Sequence, residues 1–127
     1  MNPSELRARF ERSLAWAGST HTVDDVVSAV RRGEAQFWHS DDACIVTELF
    51  AYPQLRSINF WLISGELRAA LALEPQILEF AAAEGCEVAT ANGRRGWGRA
   101  AAPTGWRLHS YNYVKPLTGG FDVGRQE

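Results

Sequence analysis

The first apolar residues of the chain recur with the spacing of an amphipathic helix. Leu6, Phe10 and Leu14 lie four residues apart, so they form one apolar stripe on a helix that we expect to end near Gly18. Asn2 stands directly before a proline, where an N-cap residue is favoured. The pattern therefore predicts a peripheral first helix with its polar side in solvent.

A second helix and three strands follow in the apolar pattern. Thr22 begins a capping-box sequence, and Gly33 is placed to end the helix in the left-handed conformation. The period then changes to that of strands at 35–39, 43–50 and 56–63, which predicts an antiparallel meander. The last two of these strands are apolar on both faces, so we expect a helix on each side of the sheet.

The second half of the chain alternates helix and strand. Proline disrupts a helix interior, so we place the start of the main helix at Pro75 and its end at Gly85. Residues 86–90 then predict a short parallel strand, reached by a right-handed crossover. After a loop and a weak helix, the alternation in 107–114 predicts a last strand near a sheet edge.

Together these elements predict one α/β (α+β) domain with a mixed sheet. The domain would cover 1–117, with the peripheral helix at 1–18, and 118–127 would form a tail that is loose or docked on a partner. The chain has 127 residues, a length at which a single core forms without disulfides.

Charge and cysteine usage exclude several classes of protein. The formal net charge is -2, so no overall field draws the domain to nucleic acid. Cys44 and Cys86 stand in apolar stretches, and the histidines are scattered singly, so buried thiols and no metal site are expected. No apolar run is long enough to span a bilayer and the N-terminus does not resemble an export signal, so we expect a cytoplasmic location without a membrane partner.

The order of elements resembles that of the GCN5-related N-acetyltransferase (GNAT) fold. The likeness covers about residues 22–115 and is sharpest at the helix end 82–86 and at Gly105-Trp106, where that family has Gly-Phe. The chain is also similar to small GNAT-like proteins encoded among bacteriophage head and tail genes. The residues that carry this second likeness are Gln36-Phe37-Trp38, Val46-Thr47-Glu48, Glu84-Gly85-Cys86, Gly93-Arg94-Arg95-Gly96-Trp97 and Gly105-Trp106.

Both catalytic signatures of the GNAT family are altered in this chain. A working enzyme of that family holds the CoA pyrophosphate on the amides of a Gly-rich turn, whereas the matching turn at 64–69 has one glycine and a negative side chain at Glu66. The family's tyrosine, which protonates the departing thiolate, would fall at Ala101, and its asparagine at Arg94. The resemblance therefore implies a fold whose usual catalytic residues are replaced.

If the chain is an enzyme, the resemblance implies acetyl-CoA or another acyl-CoA as its cofactor, held at Ser64 and Gly65. Glu48 lies on an otherwise apolar strand, where a raised pKa would suit a general base, and Tyr111 or Tyr113 would replace the missing acid. Each also has a structural interpretation. Glu48 would then be an edge or arginine-paired residue, and the tyrosines would be half-buried in the sheet.

The segment 93–99 concentrates arginines and a tryptophan between glycines. Arg94, Arg95, Trp97 and Arg99 are suited to clamp a phosphate backbone, stack a base or contact an acidic protein surface. The conformational interpretation assigns the glycines to the turn, the tryptophan to the core and the arginines to solvent.

Three functions follow from these alternatives. The altered signatures favour a non-catalytic GNAT-like protein without a cofactor, which acts by protein contacts as a virion or assembly component of a phage or prophage. Its partners would be other virion proteins or further copies of itself, and it would then also be found in the virion. The alternative is a divergent acyl-CoA-dependent N-acyltransferase, and the third is a small nucleic-acid-binding module at the arginine segment.

Overall fold

The computed structural model describes residues 2–93 and 95–119. None of the helices in these ranges is long and apolar enough to cross a membrane. The elements in chain order are α1 (Pro3–Trp16), α2 (Val23–Arg31), β1 (Gln36–His39), β2 (Ala43–Ala51), β3 (Arg56–Gly65), α3 (Leu67–Ala83), β4 (Val88–Ala91) and α4 (Arg95–Ala101), followed by a 3₁₀ turn at Ala102–Thr104.

The first two helices begin at the caps that the sequence predicts. The Asn2 side chain accepts a hydrogen bond from the backbone N–H of Glu5 at 2.8 Å. Thr22 and Asp25 form a complete capping box, in which each side chain accepts from the other residue's backbone N–H. These bonds lower the pKa of Asp25 and fix where α2 starts.

The four strands form one mixed sheet in the order β1-β2-β3-β4. The first three are antiparallel neighbours, and β4 pairs parallel to β3 after the crossover through α3. The register between β2 and β3 shifts at Val46, which pairs with Leu62 while Thr47 pairs with Phe60. Trp61 is therefore the extra residue of a bulge in β3. The predicted meander and crossover are confirmed.

Each face of the sheet carries its own apolar core. On one face α1 and α2 contribute Phe10, Leu14 and Val26. On the other face α3 contributes Leu73 and Ile77. The sheet residues beneath the first pair of helices are Cys44, Val46 and Leu62, and those beneath α3 include Ala43, Ile45, Ile58 and Phe60. The expectation of helices on both sides is confirmed.

The predicted start of the main helix at Pro75 is wrong. The helix α3 runs from Leu67 to Ala83 with Pro75 in its interior. Proline removes one backbone hydrogen bond there, but Ala70, Leu73 and Ile77 continue one apolar face across it and all three are buried. Packing on the sheet therefore outweighs the local preference.

The predicted strand at 107–114 is also not formed. Residues 106–116 have no regular secondary structure, and Leu108, Tyr111 and Tyr113 are 75%, 70% and 89% exposed. Alternation makes a segment suitable for a sheet, but a strand needs a hydrogen-bonded neighbour, and none pairs with this segment among the described residues. Most of the predicted tail, from residue 120 onwards, lies outside those residues.

Candidate functional site

A row of polar side chains crosses three neighbouring strands. Glu48 on β2 is the register partner of Asn59 on β3, which is in turn the partner of Thr90 on β4. The Asn59 amide donates to Glu48 Oε1 at 3.5 Å and the Thr90 hydroxyl donates to Asn59 Oδ1 at 2.9 Å. Glu48 follows Val46 by two residues, so the row lies on the face that α1 and α2 cover only in part.

Burial raises the pKa of the Glu48 carboxyl above its ordinary value. The hydrogen bond from Asn59 and the nearby positive charge of His21 act in the opposite direction but do not cancel the effect. A carboxylate of raised pKa is a stronger base at neutral pH than an exposed glutamate. Glu48 is therefore the side chain in this row that is suited to accept a proton.

The connection between α1 and α2 brings His21 to the same region. The His21 ring meets Trp61 edge to face, with 4.7 Å between ring centroids, and its Nδ1 lies 2.7 Å from the Thr20 hydroxyl. Trp61 lies two residues after Asn59, so it faces the same α1 and α2 side by the alternation of a strand, and the bulge turns Leu62 to that side as well. An aromatic ring therefore lies next to the polar row.

The strands β3 and β4 part beyond this row. Their ladder ends at the pair Phe60 and Ala91, while β3 continues to Gly65. The gap beyond contains a cavity of about 40 Å³ between α1, β3 and α4, lined by Ser13, Trp16, Ile63, Asn92, Gly93 and Trp97. A space of that size holds about one water molecule, so the two tryptophans nearly fill the gap.

The turn from β3 to α3 is tightly built. Gly65 has φ +105°, and a Cβ there would lie 2.2 Å from the backbone oxygen of Asp42. The same oxygen accepts a hydrogen bond from the Glu66 N–H at 3.0 Å. Glu66 makes no side-chain cap on α3, so the amides of the first helical turn, which starts at Leu67, are left without one. Uncapped first-turn amides favour an anion.

Trp106 fixes the chain on the α3 face of the sheet. Its indole N–H donates to Glu74 Oε1 at 3.0 Å, and its ring meets Phe60 edge to face at 5.4 Å. Gly105 directly before it has φ +99°, a conformation that favours glycine. The Gly-Trp pair therefore docks the end of the 3₁₀ turn against α3.

The structure brings together only part of the predicted catalytic set. Tyr111 and Tyr113 are largely exposed, and neither has a hydrogen bond to Glu48 within the described ranges. Ser64 is buried, and its hydroxyl lies 2.6 Å from that of Ser13 on α1, so its side chain is turned away from the α3 turn. Gly65 lies at this turn, where it can contribute only its backbone atoms.

The predicted interaction residues lie at and before α4. Arg94 falls outside the described residues, and α4 starts at Arg95. Trp97 is half-buried against Gly93, whereas Arg99 is exposed. Nucleic-acid binding by this segment stays a prediction.

Asn59, Thr90 and His21 are the residues that the sequence analysis did not select. Asn59 stands within an apolar strand in the same way as Glu48, which was a usable signal. Its place opposite Glu48 depends on the register set by the bulge, and His21 is brought near by tertiary packing. Cys44 is no competing nucleophile, because burial raises the pKa of its thiol to about 11.

Solved structures, among them two acetyltransferases, share the fold of this chain. An acetyltransferase from Trypanosoma brucei superposes with a TM-score of 0.64 at 10% identity, covering 92% of this chain and 96% of that one. A ribosomal-protein-alanine N-acetyltransferase from Brucella melitensis biovar Abortus 2308 gives a TM-score of 0.62 at 13% identity, with 90% and 92% covered. The protein TTHA1254 from Thermus thermophilus gives 0.60 at 13% identity, with 94% and 95% covered.

No protein-family model matches the sequence, and no curated protein matches it significantly. The structural neighbours nevertheless cover almost the whole chain, and they share its mixed sheet and N-terminal helices. The chain therefore has a GNAT-like α/β fold. The likeness to phage-encoded proteins has no counterpart among these neighbours.

Proposed function

We propose that the domain is a divergent acyl-CoA-dependent N-acyltransferase with Glu48 as its general base. The observation that carries this proposal is the row Glu48, Asn59 and Thr90, which lies on a partly open sheet face beside the point where β3 and β4 part. The GNAT-like fold, shared with solved acetyltransferases, supports acyl transfer as the reaction class.

Each residue of the row has a distinct part in the proposed reaction. Glu48 takes a proton from the ammonium group of the acceptor, which leaves a neutral amine to attack the thioester carbonyl. Asn59 orients the carboxylate by its amide, and Thr90 holds that amide from the other side. The C–S bond breaks as the new amide bond forms, and the nitrogen's remaining extra proton passes through solvent to the departing CoA thiolate. Glu48 then returns its proton to water.

The departing thiolate does not require a tyrosine. The thiol of cysteine has a pKa of about 8.5, and a thiol of similar acidity leaves as the thiolate and is protonated by solvent at modest cost. Ala101 at the position of the family's acid is compatible with this route. Tyr111 and Tyr113 would serve as the acid only if the terminal segment folds over the row.

The first turn of α3 is the proposed place for the pyrophosphate. Its amides, from Leu67 onwards, have no side-chain cap, and Arg68 is exposed on the same turn. Glu66 and Asp42 put negative charge nearby, so we expect weaker binding than a Gly-rich turn gives.

The proposal requires α4 to move when an acyl-CoA binds. The gap between the strands is nearly filled by Trp16 and Trp97, and the cavity there is too small for a thioester arm. Trp97 belongs to a seven-residue helix that is docked by few buried side chains. We therefore expect faster hydrogen exchange in α4 when acetyl-CoA is present.

Thiol release from acetyl-CoA and longer acyl-CoAs, measured with a panel of primary amines, tests the proposed reaction. We expect Glu48→Gln to lower kcat/KM by about 100-fold or more, because a positioned general base contributes that much. The matched control is Glu79→Gln, an exposed glutamate on α3 that should leave the rate unchanged. No amine-dependent thiol release by the wild-type chain, at any acyl length, would contradict the proposal.

A second candidate function is a non-catalytic component that acts by protein contacts, as a phage or prophage assembly or virion protein. The observation that favours it is the exposed apolar segment that includes Leu108, Val114 and Leu117. Portal, terminase or tail genes beside the coding sequence would support this function, and amine-dependent turnover would argue against it.

A further inference from the structure

A second row of side chains runs beside the polar row on the same face of the sheet. Each of its members stands two residues from a member of the polar row and pairs across the same three strands, namely Phe50 on β2, Ser57 on β3 and Val88 on β4. Side chains two residues apart on a strand point to the same face. The polar row therefore has a mainly apolar neighbour on the side away from the gap between β3 and β4.

The apolar members of this second row are exposed. Phe50 is 37% and Val88 42% exposed, whereas Ser57 between them is buried. Tyr52 extends the surface, because it is exposed and its ring stacks on that of Phe50 with 6.0 Å between centroids. We call Phe50, Tyr52 and Val88 the apolar shelf. Small-molecule sites are typically lined by apolar side chains with a few placed polar groups, which is the arrangement of the shelf and the polar row.

The dimensions of the shelf suit one aromatic ring. The strands β2 and β4 lie on either side of β3, so Phe50 and Val88 are separated by two strand spacings, about 10 Å. A ring that lies over Ser57 contacts Phe50 on one side and Val88 on the other. Aromatic rings also attract one another in offset and edge-to-face arrangements, so Phe50 favours an aromatic ligand.

The distance from the shelf to Glu48 sets the length of the ligand. The two rows are two residues apart, which is about 6.5 Å along a strand. A nitrogen at the Glu48 carboxylate is then separated from a ring on the shelf by roughly two or three carbon atoms. The charge of the carboxylate complements the ammonium form in which an amine arrives.

The shelf and the gap lie on opposite sides of the polar row. The gap, which is the proposed path of the thioester, lies beyond the ladder end at Phe60 and Ala91, whereas the shelf lies toward the start of both strands. An acceptor on the shelf therefore leaves the path of the thioester free, and the two substrates meet at Glu48.

We propose that the apolar shelf binds the acceptor, which is a primary amine with an aromatic ring roughly two or three carbons from its nitrogen. This inference rests on the proposed acyl transfer and specifies its acceptor. The acyl group passes from the CoA sulfur to that nitrogen, so the C–S bond breaks and a C–N bond forms. Of the two protons that the ammonium group loses, one passes through Glu48 to water and one passes through solvent to the departing thiolate.

Rates of thiol release from acetyl-CoA with different amines test the acceptor class. The amines 2-phenylethylamine and 3-phenylpropylamine are compared with butylamine and with a short lysine peptide, at equal concentrations of unprotonated amine. We expect kcat/KM to be about tenfold or more higher for an aromatic amine than for butylamine, because burial of the added ring contributes at least that much. Equal rates for aromatic and aliphatic amines, or a preference for the peptide, would overturn the acceptor class while acyl transfer stands.

Substitutions on the shelf test its residues. Phe50→Ala should lower kcat/KM for the aromatic amines about tenfold and change that for butylamine little, since the ring alone contacts the shelf. The matched control is Leu78→Ala, which removes a leucine of similar exposure, 38%, from α3 on the opposite face and should leave both rates unchanged. Thermal unfolding verifies that each variant is folded. An equal loss for both kinds of amine in Phe50→Ala would overturn recognition by the shelf.

Ligand-observed NMR separates recognition from the chemistry. Saturation transfer from the full chain to 2-phenylethylamine is measured with free CoA present. We expect stronger transfer to the ring protons than to the methylene next to nitrogen, and loss of that transfer in Phe50→Ala. Transfer that is absent, or that is unchanged in Phe50→Ala, would overturn the shelf even where thiol is released. No thiol release with any amine would contradict the acyl transfer itself, and the acceptor class with it.

Discussion

The two faces of the sheet are covered to different extents. On the α3 face, Ile45, Ile58 and Phe60 lie under one helix, and Trp106 closes the same side. On the opposite face α1 and α2 pack over Cys44, Val46 and Leu62, while the polar row begins where that core ends. Both faces therefore carry a buried core, but the second also has a row of polar sheet residues that the helices cover only in part.

The turn into α3 is the most sensitive point of the covered face. We expect Gly65→Ala to lower the free energy of unfolding by about 4 kcal/mol, because a Cβ would collide with the Asp42 backbone in a left-handed conformation. Gly33→Ala is the control, because Gly33 also has a positive φ, but a Cβ at this position would have no atom within 4 Å. Its cost should be about 1 kcal/mol. Urea unfolding measures both, and equal losses would show that the contact does not matter.

The centre of the α3 core should show the next largest effect. Ile77 is fully buried between the helix and the sheet, so Ile77→Ala should cost about 3 kcal/mol through lost burial and a cavity. The neighbouring Leu78 is 38% exposed, and Leu78→Ala should cost about 1 kcal/mol or less. Thermal unfolding measures the loss of stability in both variants. A larger loss for Leu78→Ala than for Ile77→Ala would contradict a core centred on Ile77.

The Trp106 anchor should contribute less. Trp106→Phe keeps an aromatic ring against Phe60 but leaves the buried Glu74 carboxylate without its donor. We expect a loss of about 2 kcal/mol. Trp16→Phe serves as a control, because Trp16 is 40% exposed and has no hydrogen bond in the described structure. If Trp106→Phe lost less stability than Trp16→Phe, the hydrogen bond from Trp106 to Glu74 would not anchor this part of the chain.

Substitution of Glu48 on the open face should have the smallest effect on stability, and the size of that effect should change with pH. Because the folded pKa of Glu48 is raised, the unfolded chain loses this proton first and ionisation favours unfolding as the pH rises above about 4.5. Glu48→Gln should therefore become more stable relative to wild type between acid and neutral pH. Urea midpoints at several pH values measure this, with Glu79→Gln as the control. A difference that stays constant across pH would contradict a raised pKa at Glu48.

The difference between the two faces also explains how much of the structure could be predicted from the sequence. The covered core was predictable because β2 and β3 are apolar on both faces, a pattern that local spacing alone reveals. The polar row was only half predictable. Glu48 stood out by composition, but its pairing with Asn59 depends on the bulge at Trp61, which no local pattern records.

The two errors in the predicted elements have the same origin. Pro75 lies inside α3 because packing across the helix outweighs one lost hydrogen bond. The alternation in 107–114 indicates strand propensity, but it cannot supply the neighbouring strand. In both cases the outcome depends on contacts between segments that are distant in sequence, which local patterns do not record.

Binding of acetyl-CoA to the full chain, measured by isothermal titration calorimetry, tests the central claim most directly. Free CoA and an acyl-CoA of longer chain are titrated in parallel, and tryptophan fluorescence is followed to detect the required movement of α4. The account predicts saturable binding of one acyl-CoA per domain with a change in tryptophan emission. Heats indistinguishable from dilution for all three ligands would contradict it.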